Sequence, residues 1–356
     1  MRIAILGSIA LPVPPPFQGG TEWIAYYQAK GLSEKGHKVL LFAPGESRSY
    51  LKNLSVDFIE VGEGNLALGS NLEKKIDPRY TEASRKLRLE AVGLSEVIKE
   101  LIERKDEYDL ILNNIRGEAV FVPIAKYLNK KFVNVMHLNI FDELADLFKH
   151  FSTNIITISN SQRKNYPQLS YLDTVYNGVD TNIFSFSSDP HGYFLMMGSI
   201  GRHKNQKIAI KIAKRLKIKL IIAGKIRDND YFEEIKRDID GEMIKWIGEI
   251  DLKDKVKLYQ GAKALLFPIL WEEPFGLVMI EAMSCGTPVI AFNNGAVSEV
   301  LINNKTGFVI ESDSQMIEAI HKIDSINRVD CRKHVEDKFT IEKMVDNYEK
   351  SLLKLD

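Results

Sequence analysis

Short apolar runs alternate with longer stretches of helical spacing along most of this 356-residue chain, and that alternation restricts its fold more than any other feature. RIAIL (2–6) and KVLLFA (38–43) flank TEWIAYYQAKGLSEKG (21–36), whose apolar residues recur at helical intervals up to Gly36. VDFIEV, YDLILNN (108–114), KFVNVMH (131–137) and NIITIS (154–159) are further strand candidates, separated by helical segments at 79–105 and 118–129. A second series begins later: YFLMMGS (193–199), KLIIAG (219–224), MIKWIG (243–248), ALLFP (264–268) and PVIAF (288–292), with charged amphipathic helices between them. Strands that alternate with helices predict an α/β class with mostly parallel sheets. The polar stretch at 181–191, rich in Ser, Asp and Pro, is where one lobe should give way to the next.

Composition agrees with two lobes, since a chain this long exceeds the usual single core and 45% apolar residues suffice to build two. Lys+Arg and Asp+Glu number 48 each, so no net charge draws the chain to nucleic acid. Two cysteines, Cys285 and Cys331, make a disulfide framework or a cysteine-rich metal site a poor expectation and point to the reducing cytoplasm. MRIAIL reads as a first buried strand rather than an export signal, because the proline cluster at 12–16 follows without a small-residue cleavage pattern. No apolar run reaches the length of a spanning helix, so any membrane contact is expected to be peripheral, at the inner face.

Chemistry concentrates in PILWEEPFGLVMIEAMSCGTPVIA (268–291). ALLFP reads as a short strand, ILWEEPFG as its loop, and LVMIEAM has helical spacing. Gly276 frees the backbone at the turn, so the first N–H groups of the helix, at Gly276, Leu277 and Val278, face the loop and suit a phosphate. Glu273 and Glu281 then stand eight residues apart around that turn, where a carboxylate can accept hydrogen bonds from sugar or ribose hydroxyls. An ordinary strand, loop and helix with solvated acidic residues would have the same pattern.

The run from Glu273 to Glu281, with the SCGTPVIA that follows, resembles the E-x7-E motif of retaining glycosyltransferase family 4 in the GT-B superfamily. The resemblance extends to GGTEW near the amino terminus, to YNGVD at 176–180 and to the order of elements between them. It implies a GT-B fold, two Rossmann-like α/β/α domains facing a central cleft. Residues 1–180 would bind acceptor, rejoined by the last helix at about 340–356, and residues 181–339 would bind the nucleotide-sugar donor.

The resemblance also implies roles. Glu281 would hold the ribose and Glu273 the donor sugar, with N–H groups of Phe275, Gly276 and Leu277 orienting sugar and phosphate. Lys204, in MGSIGRHKNQKIAIKIA (197–213), matches the lysine that stabilises the leaving diphosphate; Lys207 and Lys211 read as a solvated face. The family commonly places an arginine five residues before that lysine, where this chain has Ser199, and Arg202 is the substitute cation in the loop. Gly224 matches a glycine lining the donor cleft, and the main chain around Ile247 matches a segment that meets the base. In the first lobe Gly19 and Gly20 permit close backbone approach, with Thr21 able to cap the helix that follows, and the resemblance places donor phosphate there. His137 matches a histidine that meets the transferred sugar, although a histidine at a strand end also serves simply to bond a carbonyl. Asp228 and Asp230 form a D-x-D in a polar loop, outside the context of a metal-dependent site.

The expectation is a metal-independent retaining hexosyltransferase without cofactor, UDP-glucose or another UDP-hexose being its donor and a glycan, lipid-linked sugar or small metabolite its acceptor. The enzymatic alternatives are a GDP-mannose-dependent mannosyltransferase, a sucrose- or trehalose-forming transferase and a nucleotide-sugar epimerase of GT-B shape. Ser199 motivates a second class, a catalytically weak sugar-nucleotide-binding or scaffold protein. A dinucleotide oxidoreductase is disfavoured because GSIAL (7–11) lacks the glycine spacing of a dinucleotide fingerprint.

Overall fold

The structure, a computed structural model, describes residues 1–17, 19–62 and 82–355, with backbone alone for 82–86. The chain divides into two compact units. Met1–Ile158, Arg163–Val175 and the chain from Val345 onward form the first; Ser159–Gln162 and Tyr176–Met344 form the second.

The first unit holds a seven-stranded parallel sheet: β1 (Arg2–Leu6), β2 (Lys38–Ala43), β3 (Asp57–Glu60), β4 (Leu110–Asn113), β5 (Lys131–Met136), β6 (Asn154–Thr157) and β7 (Tyr171–Thr174), in the order β3-β2-β1-β4-β5-β6-β7. The central strand β1 pairs Ile3 with Val39 on one side and with Leu110 on the other, and its Ile3, Ala4, Ile5 and Leu6 have no exposed surface. Continuous burial on both faces is why these strands read as unbroken apolar runs. One core gathers Leu6, Leu40, Phe42, Val97, Tyr108, Phe121 and Phe148 from strands and flanking helices. Each such side chain contributes about 1.5–3 kcal/mol on burial.

The second unit repeats the plan with β8 (Tyr193–Met197), β9 (Lys219–Ala223), β10 (Ile244–Trp246), β11 (Ala262–Phe267), β12 (Val289–Phe292) and β13 (Gly307–Ile310), all parallel, in the order β10-β9-β8-β11-β12-β13. Leu195 of β8 registers with Ile221 of β9 and with Leu265 of β11. Both units are thus α/β with a doubly wound parallel sheet.

In each sheet the strand order reverses once, between β1 and β4 in the first unit and between β8 and β11 in the second. Connections leave opposite faces of the sheet at such a point, and a crevice opens beyond the carboxyl ends of the two strands.

Two strands escape the sequence pattern. β7, YLDT, lies at a sheet edge with every residue part-exposed, and β13, GFVI, is only four residues long. The helix after the glycine pair begins at Gly20 with Gly19 as its cap and no side-chain capping bond, so Thr21 does not cap it. The expected helix at 79–105 is seen as Glu82–Glu103, and its residues 79–81 lie outside the described residues. No helix among the described residues is long and apolar enough to cross a membrane.

Candidate functional site

β11 ends at Phe267, and the loop that follows runs to Gly276, which caps the helix Leu277–Ser284. Gly276 has φ +86°, a torsion that strains any other residue, and a Cβ there would also require the Met279 Cε methyl, 2.6 Å away, to shift. The Met279 N–H turns back to the Gly276 carbonyl at 2.9 Å. Leu277 and Val278 lie in the first turn, where a helix has no internal acceptor for its N–H groups. Phe275 is buried against the rings of Tyr176 and Phe339, with centroids 6.1 and 5.9 Å away, which anchors the loop just before the turn.

Glu273 is 8% exposed, a burial that a carboxylate tolerates only with partners. Lys204 Nζ and Trp271 Nε1 both donate to its Oε2, each at 2.9 Å. Its main chain is equally fixed: the Ala296 N–H donates to its carbonyl at 2.9 Å, and Gly295, at φ +64°, lies so close that a Cβ would come within 2.3 Å of the Glu273 backbone.

Lys204 closes the short 3-10 turn Arg202–Lys204 beyond β8. Its ammonium lies 5.3 Å from the centre of the Phe267 ring and 5.2 Å from that of Trp271, so aromatic faces replace part of its water. The Lys204 loop follows β8 and the Glu273 loop follows β11, the two strands that flank the reversal in this sheet. The doubly wound topology therefore brings together two side chains separated by 69 residues.

Arg202 does not join that pair. Its guanidinium is exposed, bonded to Glu234, 3.8 Å from Asp228 and stacked over Tyr231. Ser199 is half-buried, and its carbonyl accepts from Gln206 Nε2 at 3.0 Å. His203 packs edge-on against Trp271, and burial together with the neighbouring Lys204 charge pushes its pKa below the ordinary imidazole value. Asp228 caps the helix Asn229–Lys236 by accepting the Tyr231 N–H at 2.9 Å, which gives the D-x-D pair a local structural task.

Glu281, 9% exposed, sits on the helix begun at Gly276 and has partners of its own. Lys255 Nζ donates to Oε1 at 2.6 Å and the Tyr259 hydroxyl donates to Oε2 at 2.8 Å. Gly224 follows β9 with φ +146°; a Cβ would fall 2.0 Å from the Gly198 carbonyl oxygen, so only glycine lets these two strand ends touch. Its N–H donates to Gly248 and its carbonyl accepts from Trp246 Nε1. The Ile247 N–H is taken up by the Ile222 carbonyl, while its side chain is 41% exposed.

In the first unit, Gly19 is confined by its surroundings: a Cβ would lie 2.6 Å from Pro15 and 2.9 Å from the Glu22 carboxylate. His137 stands just past β5, and its Nε2 shares a 2.9 Å hydrogen bond with Asn114 Oδ1. Asn114 in turn donates from Nδ2 to the fully buried Gln28 at 2.8 Å. Burial, and then the positive charge of Arg116, push the His137 pKa down to about 3, so its ring is neutral at physiological pH. The same Arg116 acts on Glu22, whose carboxyl is raised chiefly by burial, against the opposing pull of its own N–H, Arg116 and Ser8. Asn114 and Arg116 follow β4 and the glycine pair follows β1, so these groups too flank the reversal in their sheet.

Sequence reading alone did not find Trp271, Lys255, Tyr259, Asn114 or Glu22. Trp271 and Glu22 sit inside motifs already quoted and could have been found there. Tyr259 and Lys255 belong to the helix Leu252–Gly261, which precedes β11 in the chain whereas Glu281 follows it, and no local pattern marks them.

Residues 180–334 match the family model for glycosyl transferases group 1. Over that stretch the chain is similar to the GT4-type GT-B glycosyltransferases. An O-antigen chain mannosyltransferase from Salmonella typhimurium is 27% identical over 183 residues, 50% of this chain and 52% of that protein. A phosphatidyl-myo-inositol mannosyltransferase from Mycolicibacterium smegmatis is 23% identical over 336 residues, 88% of this chain and 81% of that protein. Several other matches are partial, and the chain spans about half or less of the length of those curated relatives. Among solved structures, HepE from Anabaena in complex with UDP and glucose has a TM-score of 0.75 at 19% identity, covering 99% of this chain and all of that one. Sucrose-phosphate synthase from Thermosynechococcus elongatus has a TM-score of 0.76 at 16% identity, covering 100% of this chain and 99% of that one. At these identities the likeness speaks for the GT-B fold.

Proposed function

We propose that the chain is a retaining hexosyltransferase that takes a hexose from a nucleoside-diphosphate sugar, UDP-glucose or another UDP-hexose, and moves it to an acceptor hydroxyl. The observation that carries this reading is the Lys204–Glu273 pair beside the helix begun at Gly276, at the strand reversal of the second unit. A cation, a carboxylate and unpaired N–H groups there suit the three parts of a sugar diphosphate: Lys204 and the N–H groups of Gly276, Leu277 and Val278 for the phosphates, Glu273 for sugar hydroxyls, Glu281 for the ribose. The HepE complexes with UDP and glucose and with UDP-glucose support the choice of donor.

In this reading the donor draws Lys204 off Glu273 and onto the diphosphate, which frees Glu273 to accept from the sugar. Charge that develops on the leaving diphosphate is met by the ammonium and the helix N–H groups, without a metal. The acceptor hydroxyl attacks from the side of the departing diphosphate, whose oxygen takes the proton, and the anomeric configuration is kept. The carboxylates have no nucleophilic part. Arg202, bonded to Glu234, reaches the phosphates only if that pair opens, so Lys204 ranks first. Gly224 and the main chain at Ile247 are assigned to the nucleotide, and Gly19, Gly20 and His137 to donor phosphate, acceptor and sugar hydroxyl. The acceptor is a glycan, a lipid-linked sugar or a small metabolite; the phosphatidyl-myo-inositol mannosyltransferase among the relatives supports testing lipid acceptors at a membrane surface. The two mannosyltransferases support a second reading, with GDP-mannose as donor.

The test is nucleoside-diphosphate release from a panel of UDP-, GDP- and ADP-sugars with EDTA present, with and without mixed acceptors, followed by NMR of the product's anomeric centre. Selective release with retained configuration is expected. Inverted configuration, or release only when a divalent ion is restored, overturns the mechanism. Donor binding without turnover on any acceptor points instead to the binding or scaffold protein that Ser199 first suggested.

A further inference from the structure

A carboxylate offers four lone-pair positions, two on each oxygen. At Glu281 one on Oε1 is filled by Lys255 and one on Oε2 by Tyr259, at 2.6 and 2.8 Å. Each oxygen keeps one position open, and two parallel acceptors are the complement of two neighbouring hydroxyls.

Both donors come from one face of the helix Leu252–Gly261, spaced i and i+4. Tyr259 has no exposed surface, and its carbonyl accepts from the Thr287 hydroxyl, which itself accepts from Arg328 at 2.9 Å. Arg328 is anchored by the carbonyls of Ser187, Ala262 and Gln260, each at 2.9 Å. Lys255 lies 5.6 Å from the centre of the Phe184 ring, and that ring packs 6.2 Å from Tyr259. The phenol stays a donor at every physiological pH, because burial and the Glu281 charge hold its pKa far above the ordinary tyrosine value. Burial alone requires partners for Glu281, yet a partner placed on each oxygen also removes rotation about the terminal bond, the motion that would spoil a two-point contact.

We infer that Tyr259 and Lys255 are positioning residues of the nucleotide site, holding Glu281 so that its two open lone pairs meet the 2′ and 3′ hydroxyls of a ribose. The inference rests on the reading of Glu281 as the ribose ligand.

The test is calorimetry on the full chain with UDP, GDP and ADP, followed by the 2′-deoxy and 3′-deoxy forms of whichever binds best. For the parent protein, loss of either hydroxyl is expected to weaken binding about tenfold, the usual worth of a hydrogen bond to a charged group. Tyr259→Phe should weaken the ribonucleotide by a similar factor and shrink the ribo-to-deoxy ratio to about twofold or less, because the loosened carboxylate no longer tells the two apart. Lys255→Met, altered at the more exposed end of the pair, should do the same and serves if the buried substitution fails to fold. If both variants melt lower yet keep the parental ratio, Tyr259 and Lys255 only stabilise a buried charge and the inference is overturned. If Glu281→Gln abolishes the ratio while Tyr259→Phe and Lys255→Met preserve it, the ribose reading stands and the inference alone fails. A parent protein that does not discriminate, or that binds none of the three nucleotides, removes the ribose reading and the inference with it.

Discussion

Lys204→Met separates the job the structure gives this ammonium, neutralising the buried Glu273 carboxylate, from the one proposed for it, stabilising a leaving diphosphate. The two side chains are 18% and 11% exposed with N and O 2.9 Å apart. At that separation, in an effective dielectric near 20, their attraction is roughly 6 kcal/mol, most of it offset by the cost of desolvating both charges. Methionine keeps the length and loses the charge. Trp271 still donates to Glu273 Oε2, so the stranded carboxylate should cost about 2–3 kcal/mol, below the range for a wholly unpartnered buried ion. For a domain of this size that is a fall of about 5–10 °C in the melting of the second unit. Lys204→Met/Glu273→Gln, which removes both charges, should recover most of the lost stability. Turnover should behave otherwise: loss of charge stabilisation on the leaving group is expected to lower the rate about 10²–10³-fold at saturating donor, in the double variant as in the single. The assays are differential scanning calorimetry and nucleoside-diphosphate release. Recovery of turnover in the double variant would refute the leaving-group role, and a parental melting temperature in Lys204→Met would refute the stabilising one.

Gly224→Ala should destabilise the second unit by several kcal/mol, because the new Cβ would lie 2.0 Å from a backbone oxygen that has no rotamer with which to escape; an urea melt within about 0.5 kcal/mol of the parent would contradict this. His137 is predicted to make the first unit sensitive to acid. Its folded pKa of about 3 lies below an unfolded value near 6.5, so the unfolded chain binds the extra proton, and stability present above pH 6.5 is lost as pH falls toward 3. At pH 5 the loss should be about 2 kcal/mol relative to pH 7.5, and His137→Gln should be spared it; equal pH dependence of the two in urea titrations would count against the half-buried neutral ring. Cys285 and Cys331 are fully buried, with thiols pushed up to about 12 by desolvation, so Ellman's reagent at pH 8 should label neither until the chain unfolds.

The parts that could be read from the sequence are those whose cause is local. β1, β2, β8 and β11 announce themselves because burial on both faces demands an unbroken apolar run, whereas the edge strand β7 is half solvated and carries no such mark. The turn at Gly276 was legible because a left-handed torsion before a helix calls for glycine, and the solvated face of Lys207 and Lys211 because charge at helical spacing lies opposite Ile208 and Ile212. The glycine pair was less so. Gly19 holds an extended torsion that any residue adopts, and what excludes a side chain there is the nearness of Pro15 and Glu22, which no local pattern encodes.

Sequence by itself therefore determined the alternation of strand and helix, the parallel sheets that follow from it, and the loop and helix that carry Glu273 and Glu281. Tertiary structure alone decided which charges meet. Lys204 finds Glu273 across 69 residues because β8 and β11 lie side by side where the strand order reverses, and Arg202, two residues away in sequence, turns to Glu234 instead. Tyr259 reaches Glu281 because the helices that precede and follow β11 in the chain pack together. Periodicity is a property of neighbours along the chain, whereas an ion pair or a hydrogen bond depends on neighbours in space, and it is strand order that converts the one into the other.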